Sequence, residues 1–338
     1  MGATGKYQVV GRLGAGGMGA VFRGLVRGQA GFQRPVVIKQ LHESSDPAHV
    51  RMFVDEACRY ALLDHENVGR IFDFEDVDGR LCIILEYIDG WSLTQFLERH
   101  AELRRHAPVE LSVFVVSRVC RALQYVFEHS AIVHRDISPS NVMMTREGAV
   151  KLIDFGIAAR SGTRESTLTG KPAYMAPEMI VEMRADSRSD LFSLGVVLWE
   201  LLASDRLFHA DTTAGILGKV LSAPIPSPRT RNPAVPEAVE GLVARALQRA
   251  PAERFATAAE MGAACEHFLY DGGYGPTNLT LKHYLHQLFP ESAARAAAGG
   301  GAPEAEVFPE VDLELIPIDE GLPRGTWLPA DKTRRPGE

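Results

Sequence analysis

Residues 134–141 read His134-Arg135-Asp136-Ile137-Ser138-Pro139-Ser140-Asn141, and thirteen residues after Asn141 comes Asp154-Phe155-Gly156. Just before that second group, Val150 to Ile153 is a short apolar run. It predicts a strand that delivers the Asp154 carboxylate at its end. Asp154 and Asn141 carry hard oxygen donors of the kind that suits Mg2+. Asp136 is a further carboxylate, left to orient a hydroxyl. Each is an ordinary polar loop residue when taken alone. Their order and spacing carry the reading.

Upstream, Gly14-Ala15-Gly16-Gly17-Met18-Gly19-Ala20-Val21 matches G-x-G-x-x-G-x-V. Glycines without a Cβ let backbone N–H groups approach phosphate oxygens. The pattern alone is weak, because a dinucleotide fingerprint shares it. That alternative needs a helix after the last glycine and an acid about 20 residues on. Here Val21-Phe22-Arg23-Gly24 follows, with more glycines at 28 and 31, and the first acid is Glu43. A strand–loop–strand hairpin over a phosphate fits better. Lys39 then ends the apolar run Val36-Val37-Ile38, which aims a cation at something anionic, and Glu56 on the next helical pattern is within reach to hold it.

Around these motifs, Tyr7 to Leu13, Ala20 to Leu25, Pro35 to Lys39 and Leu81 to Glu86 read as strands. Ala48 to Leu63, Leu111 to Phe127 and Leu191 to Leu202 read as helices. Pro224, Pro226, Pro228, Pro233 and Pro236 mark an extended loop that no helix crosses. Residues 291–338 hold ten Asp/Glu against five Lys/Arg and predict a poorly packed acidic tail.

Composition bounds the classes. The 338 residues suffice for about two domains. With 46% hydrophobic and 23% charged residues, wholesale disorder, collagen and coiled coil are excluded. The net charge of −7 argues against a nucleic-acid partner. Cys58, Cys82, Cys120 and Cys265 form no C-x-x-C pair and read as buried small hydrophobes in a reducing compartment. Residues 1–20 lack a signal-peptide core. The run Leu191 to Ala203 is shorter than the ~20 residues of a membrane span. The expectation is a cytoplasmic protein with no membrane partner.

Together these residues resemble the eukaryotic-like (Hanks-type) bacterial serine/threonine protein kinases, over residues 7 to about 270. The match also takes in Leu85-Glu86-Tyr87-Ile88 as hinge, Ala176-Pro177-Glu178, Asp190 and Arg254. The resemblance implies an α+β, bilobal kinase-like fold. A small β-rich N-lobe of five strands and one key helix (7–86) would sit over a larger helical C-lobe (87–290), followed by the mostly irregular tail (291–338). It implies ATP-dependent transfer of the γ-phosphoryl group to Ser/Thr hydroxyls of protein substrates, with ATP and Mg2+ as cofactors. Autophosphorylation in the activation loop, on Thr167 or Thr169, would involve a transient homodimer.

The same resemblance implies the site. Leu13, Gly14, Ala15, Gly16, Gly17, Met18, Gly19, Val21 and Val37 would surround the nucleotide. Lys39 would hold its α/β-phosphates and pair with Glu56, and the main chain of Glu86 and Ile88 would bond the adenine. Asn141 and Asp154 would hold Mg2+, and Asp136 would act on the substrate hydroxyl. Arg135 would receive an activation-loop phosphate. Glu178 and Arg254 would form a buried ion pair, and Asp190 would brace the catalytic loop.

Three positions depart from the family pattern. Ser138 stands where Ser/Thr kinases place a lysine, two residues after the catalytic Asp, and Ser140 stands where tyrosine kinases place their cation. Lys171 occupies the usual Thr position of Gly170-Lys171-Pro172-Ala173-Tyr174, so Ser138 and Lys171 read as the family's pair exchanged. Val37 replaces the usual Ala and should narrow the adenine slot. Two other readings stay open: a pseudokinase acting as a nucleotide-binding scaffold, and a small-molecule phosphotransferase.

Overall fold

The N-terminal part of the chain forms one antiparallel sheet. A computed structural model describes residues 6–16, 19–40, 60–77, 80–154 and 170–290. Strands β1 (Tyr7–Gly16), β2 (Gly19–Arg27), β3 (Gln33–Gln40), β4 (Ile71–Val77) and β5 (Arg80–Glu86) lie in the order β1-β2-β3-β5-β4. The glycine-rich segment joins β1 to β2 as a hairpin, with Gly16 opposite Gly19. Side chains alternate across a strand. Val36 and Ile38 on β3 therefore enter a core with Tyr7, Cys82 and Ile84, while Val37 and Lys39 face the other way.

Four of these strands were expected from apolar runs. β4 was not, because Asp73, Glu75 and Asp76 interrupt it. Its Phe72-Asp73-Phe74-Glu75 alternation was the available signal. The helix expected at 48–63, with Glu56 and Cys58, lies largely outside the described residues. The acidic tail 291–338 lies outside them entirely.

The C-terminal part is helical: α1 (Leu93–Glu102), α2 (Val109–Ser130), α3 (Pro177–Val181), α4 (Ser187–Ala203), α5 (Thr213–Ser222), α6 (Glu237–Ala246), α7 (Ala258–Tyr270) and α8 (Asn278–Leu288). Helix α2 runs past the expected Leu111–Phe127 at both ends. Pro108 starts it, and Ala131 stops it in the left-handed region at φ 53°. Helix α4 begins with a capping box at Asp186 and is buried on every side from Ser189 to Ala203, which makes it the axis of the lobe. The proline-rich segment remains outside long helices, with one short 3-10 turn at Pro228–Thr230. The two-layer α+β arrangement is the one the resemblance implied.

A second sheet joins β6 (Gly90–Ser92), β7 (Val142–Thr145) and β8 (Val150–Leu152), of which only β8 was read from the sequence. It fixes both ends of the segment carrying Asn141 and Asp154. Gly90 is required there: a Cβ would meet the Met144 carbonyl oxygen at 2.0 Å. Cys82, Cys120 and Cys265 are buried free thiols, and burial pushes the Cys265 thiol up to about 12. Among the described residues no helix is long and apolar enough to cross a membrane.

One buried ion pair fastens α3 to the loop before α7. Arg254 Nη1 and Nη2 donate to Glu178 Oε1 and Oε2 at 2.8 and 2.7 Å. Its remaining donors reach the carbonyls of Gln248, Arg188 and Arg249. All five guanidinium N–H groups are thus engaged, on a side chain with 0% exposure. Removing one partner strands the other charge, so Arg254→Met should cost about 3–5 kcal/mol in denaturant unfolding. Asp64→Asn, which breaks an exposed pair with Arg70, should cost no more than about 1 kcal/mol.

Candidate active site

Lys39 is placed by strand register. Val21, Lys39 and Ile83 form one row across β2, β3 and β5, and Arg23, Val37 and Leu85 form the next row on the same face. The lysine thus stands beside the strand that leaves the glycine hairpin. It is buried, at 8% exposure. Its Nζ donates to Asp154 Oδ1, across a sequence separation of 115 residues. This ion pair is one of the places where the sheet and the helical lobe meet. Leu13 is buried, Val21 and Val37 are half-buried, and Gly14 pairs with Val21.

Gly17, Met18 and Glu56 lie outside the described residues, and Ala15, Gly16 and Gly19 are placed by backbone pairing alone. Phe155, Gly156 and the hydroxyls of Thr167 and Thr169 lie outside as well. At the hinge, the Glu86 N–H donates to the Arg70 carbonyl at 2.9 Å. The Glu86 carboxylate is held by Lys151 Nζ at 3.0 Å, and Ile88 is buried. The Lys151–Glu86 pair links hinge to β8 and carries no sequence signature.

The loop after α2 is braced from below. Asp190, in the first turn of α4, accepts from the backbone N–H of His134 and of Arg135, both at 2.8 Å. Arg135 is held at φ 66°, a left-handed conformation costly for a non-glycine residue. Burial raises the Asp190 carboxyl above its ordinary value, with His134 and the two N–H bonds pulling the other way. His134 Nδ1 accepts from the Asp136 N–H at 3.3 Å, so Nε2 carries the proton and donates to the Ile153 carbonyl at 3.1 Å.

Asp136 is fixed on both oxygens. Asn141 Nδ2 donates to Asp136 Oδ2 at 2.8 Å and to its carbonyl at 2.7 Å. The Lys171 N–H donates to Asp136 Oδ1 at 3.2 Å. Both amide protons of Asn141 are spent in this way, and Asn141 Oδ1, which accepts from Ser140 Oγ at 3.3 Å, keeps a second lone pair as an acceptor. Ile153 N–H bonds the Asn141 carbonyl at 2.9 Å and draws Asp154 to the same place, with Asp154 itself at φ 53°. Burial would raise the Asp154 carboxyl, but the Lys39 charge and hydrogen bond outweigh it, with smaller help from His134 and Lys171, and the net direction is down. An amide oxygen beside a carboxylate is a donor set that fits Mg2+, which takes one or two protein oxygens and completes its shell with water and phosphate.

Lys171 reaches the catalytic loop from the other side. Its Nζ donates to Ser138 Oγ at 3.0 Å and to Ser140 Oγ, and the two hydroxyls lie 3.2 Å apart. The contact between Lys171 and Ser138 was expected. The share taken by Ser140 was not, because a serine two residues away carries no distinguishing signal. Gly170 makes the approach feasible: its φ is +110°, and a Cβ would meet the Arg135 carbonyl at 3.0 Å.

The opposition between burial and Lys39 at Asp154 yields a measurable sign. In the wild-type protein the depressed carboxyl contributes stability above pH of about 3.9, lost as pH falls through the folded value. In Lys39→Met only burial and weaker cations remain. The Asp154 carboxyl should then titrate above its ordinary value, read by carboxyl 13C chemical shift against pH.

The sequence matches the family described as protein kinase domain over residues 7–268. Among curated relatives, the tyrosine-protein kinase MasK of Myxococcus xanthus is 34% identical over 334 residues, covering 89% of this chain and 52% of that one. The serine/threonine-protein kinase PrkC of Bacillus subtilis is 32% identical over 266 residues, covering 77% of this chain and 40% of that one. The chain therefore spans about half or less of these relatives' own length. Among solved structures, the Mycobacterium tuberculosis PknI kinase domain superposes with a TM-score of 0.60 at 28% identity, over 78% of this chain and 96% of that one. With Lys39, Asp136, Asn141 and Asp154 gathered in one place and the match spanning most of its length, the chain belongs to the protein kinase family.

Proposed function

We propose that this chain is an ATP-dependent protein kinase that transfers the γ-phosphoryl group to serine and threonine hydroxyls of protein substrates. The observation that carries the reading is the meeting of Lys39 with Asp154, beside Asn141 and Asp136. One ammonium, two metal-suited oxygens and one carboxylate converge where a triphosphate would lie between sheet and helices. Relatives such as PrkC, titled serine/threonine kinases, support the hydroxyl class. The working unit proposed is 7–86 over 87–290.

The residues divide the work as follows. The hairpin at Gly14 to Gly19 covers the phosphates with backbone N–H groups, and Lys39 neutralises their oxygens. The Glu86 carbonyl and Ile88 main chain position the adenine, against Val37 and Leu13. Asn141 Oδ1 and Asp154 would hold Mg2+, which supplies charge neutralisation across the phosphates when bound. Asp136, its plane fixed by two donors, accepts the proton of the substrate hydroxyl. The hydroxyl oxygen forms the new bond to the γ-phosphorus, and the bond to the bridging oxygen breaks, its electron pair leaving with ADP. Arg135 would receive a phosphorylated activation loop, and autophosphorylation would proceed through a transient homodimer.

The test is incubation with labelled ATP, Mg2+ and a generic basic protein substrate, followed by phosphoamino-acid analysis. Label on serine and threonine is expected, with Asp136→Asn lower by about 10²- to 10⁴-fold. Label on tyrosine alone would assign the activity named for MasK instead. No label above the Asp136→Asn background would leave a nucleotide-binding scaffold.

A further inference from the structure

We propose that the Lys171 ammonium is the side-chain cation that meets the transferring phosphoryl group, and that Ser138 and Ser140 are the positioning residues that seat it. This rests on the phosphoryl-transfer reading above and adds the group that stabilises its developing charge.

The partners of Lys171 are the first argument. The other well-covered lysines at this site face carboxylates: Lys39 pairs with Asp154, and Lys151 with Glu86. Among the described residues no carboxylate lies within ion-pair distance of Lys171 Nζ. Its partners there are two neutral hydroxyls, one of them, Ser138, at 0% exposure. A partly buried cation whose hydrogen-bond partners are neutral, and on which Asp154 acts only at longer range, is stabilised further by an incoming anion. An ammonium has three donors. Two are occupied by the serines, and no described residue takes the third.

Placement is the second argument. Lys171 is anchored at two points to one loop, by its N–H on Asp136 Oδ1 and by its Nζ on Ser138 and Ser140. Ser138 lies two residues after Asp136, and Ser140 directly precedes Asn141. The cation is therefore held on the stretch that carries the hydroxyl-activating carboxylate and a metal-suited oxygen. In phosphoryl transfer the equatorial oxygens carry the negative charge that needs stabilising, and a donor already oriented there costs no reorganisation at the moment of reaction.

The competing account is a brace: Lys171 merely ties its segment to the loop. A brace needs hydrogen bonds and no charge, so Lys171→Gln separates the two accounts. A charge-assisted hydrogen bond lost in the transition state corresponds to about a 10- to 150-fold lower kcat. That loss is expected for Lys171→Gln with KM for ATP little changed. Lys171→Thr should lose as much, and adding Ser138→Lys, which puts the cation on the loop itself, should restore most of the activity. Removing the seat by Ser138→Ala with Ser140→Ala should lower kcat by less than Lys171→Gln.

A second readout is the affinity for ADP, Mg2+ and fluoroaluminate, a mimic of the transferring group, measured by calorimetry with melting temperatures recorded for each variant. Wild type should bind the mimic more tightly than Lys171→Gln, while both bind ADP and Mg2+ alike. Equal kcat and equal mimic affinity in Lys171→Gln and wild type would overturn the proposal. So would failure of Ser138→Lys to restore activity in a folded Lys171→Thr protein. Should the wild-type protein transfer no phosphoryl group at all, the kinase reading fails, and the mimic affinities alone decide the role of Lys171.

Discussion

The Asp190 carboxylate beneath the catalytic loop is the constraint on which the rest of the site depends. A loop that turns through a left-handed arginine has backbone N–H groups that no helix or strand can satisfy. Asp190 takes two of them, from His134 and Arg135, and it can do so because α4 is buried along its length and holds the carboxylate still. Burial makes this carboxyl reluctant to ionise, so the two hydrogen bonds and the nearby His134 offset part of that penalty. With the turn held, Asp136 emerges between Asn141 and Lys171, and its oxygens accept from both.

From that anchor the site is built by satisfying polar groups in sequence. His134 closes onto the Ile153 carbonyl, Ile153 closes onto Asn141, and Asp154 follows in a strained conformation that brings it to Lys39. Each bond is worth little alone, since a net hydrogen bond contributes about 0.5–1.5 kcal/mol. The network is stronger for being shielded, because leaving any one member unpaired in a buried place costs more than the bond returned. Farther away, Glu178 and Arg254 apply the same rule: five donors, five acceptors, and no charge left over. The Lys171 ammonium stands apart from this pattern, because its described hydrogen-bond partners are neutral hydroxyls.

Much of this was legible in the residues. The apolar alternation of β1, β2, β3 and β5, the long apolar helices, and the order of the glycine loop, Lys39, Asp136, Asn141 and Asp154 were all readable. Each is local: a period of two, a run of apolar residues, or a spacing set by one loop. The second sheet was not readable beyond β8, because strands of three or four residues have no period to detect. β4 was hidden by its acids, which an edge strand tolerates, and by an irregularity between Ile71 and Asp73 that sends Phe72 and Phe74 into different clusters. The seat formed by Ser140 had no signal either, since a hydroxyl becomes a ligand only through what stands opposite it.

By itself, then, the order of residues determined which chemistry this chain could carry: phosphate-binding glycines, a strand lysine, two metal-suited oxygens and a carboxylate for a hydroxyl. It also determined that Ser138 and Lys171 depart together from the family pattern. Tertiary structure alone decided that Lys39 touches Asp154, which two N–H groups Asp190 takes, and that Ser140 shares the Lys171 ammonium with Ser138. The reason is range. Propensity and spacing act over a few residues, whereas these contacts join segments 31 to 115 residues apart and exist only once burial has brought sheet and helices together.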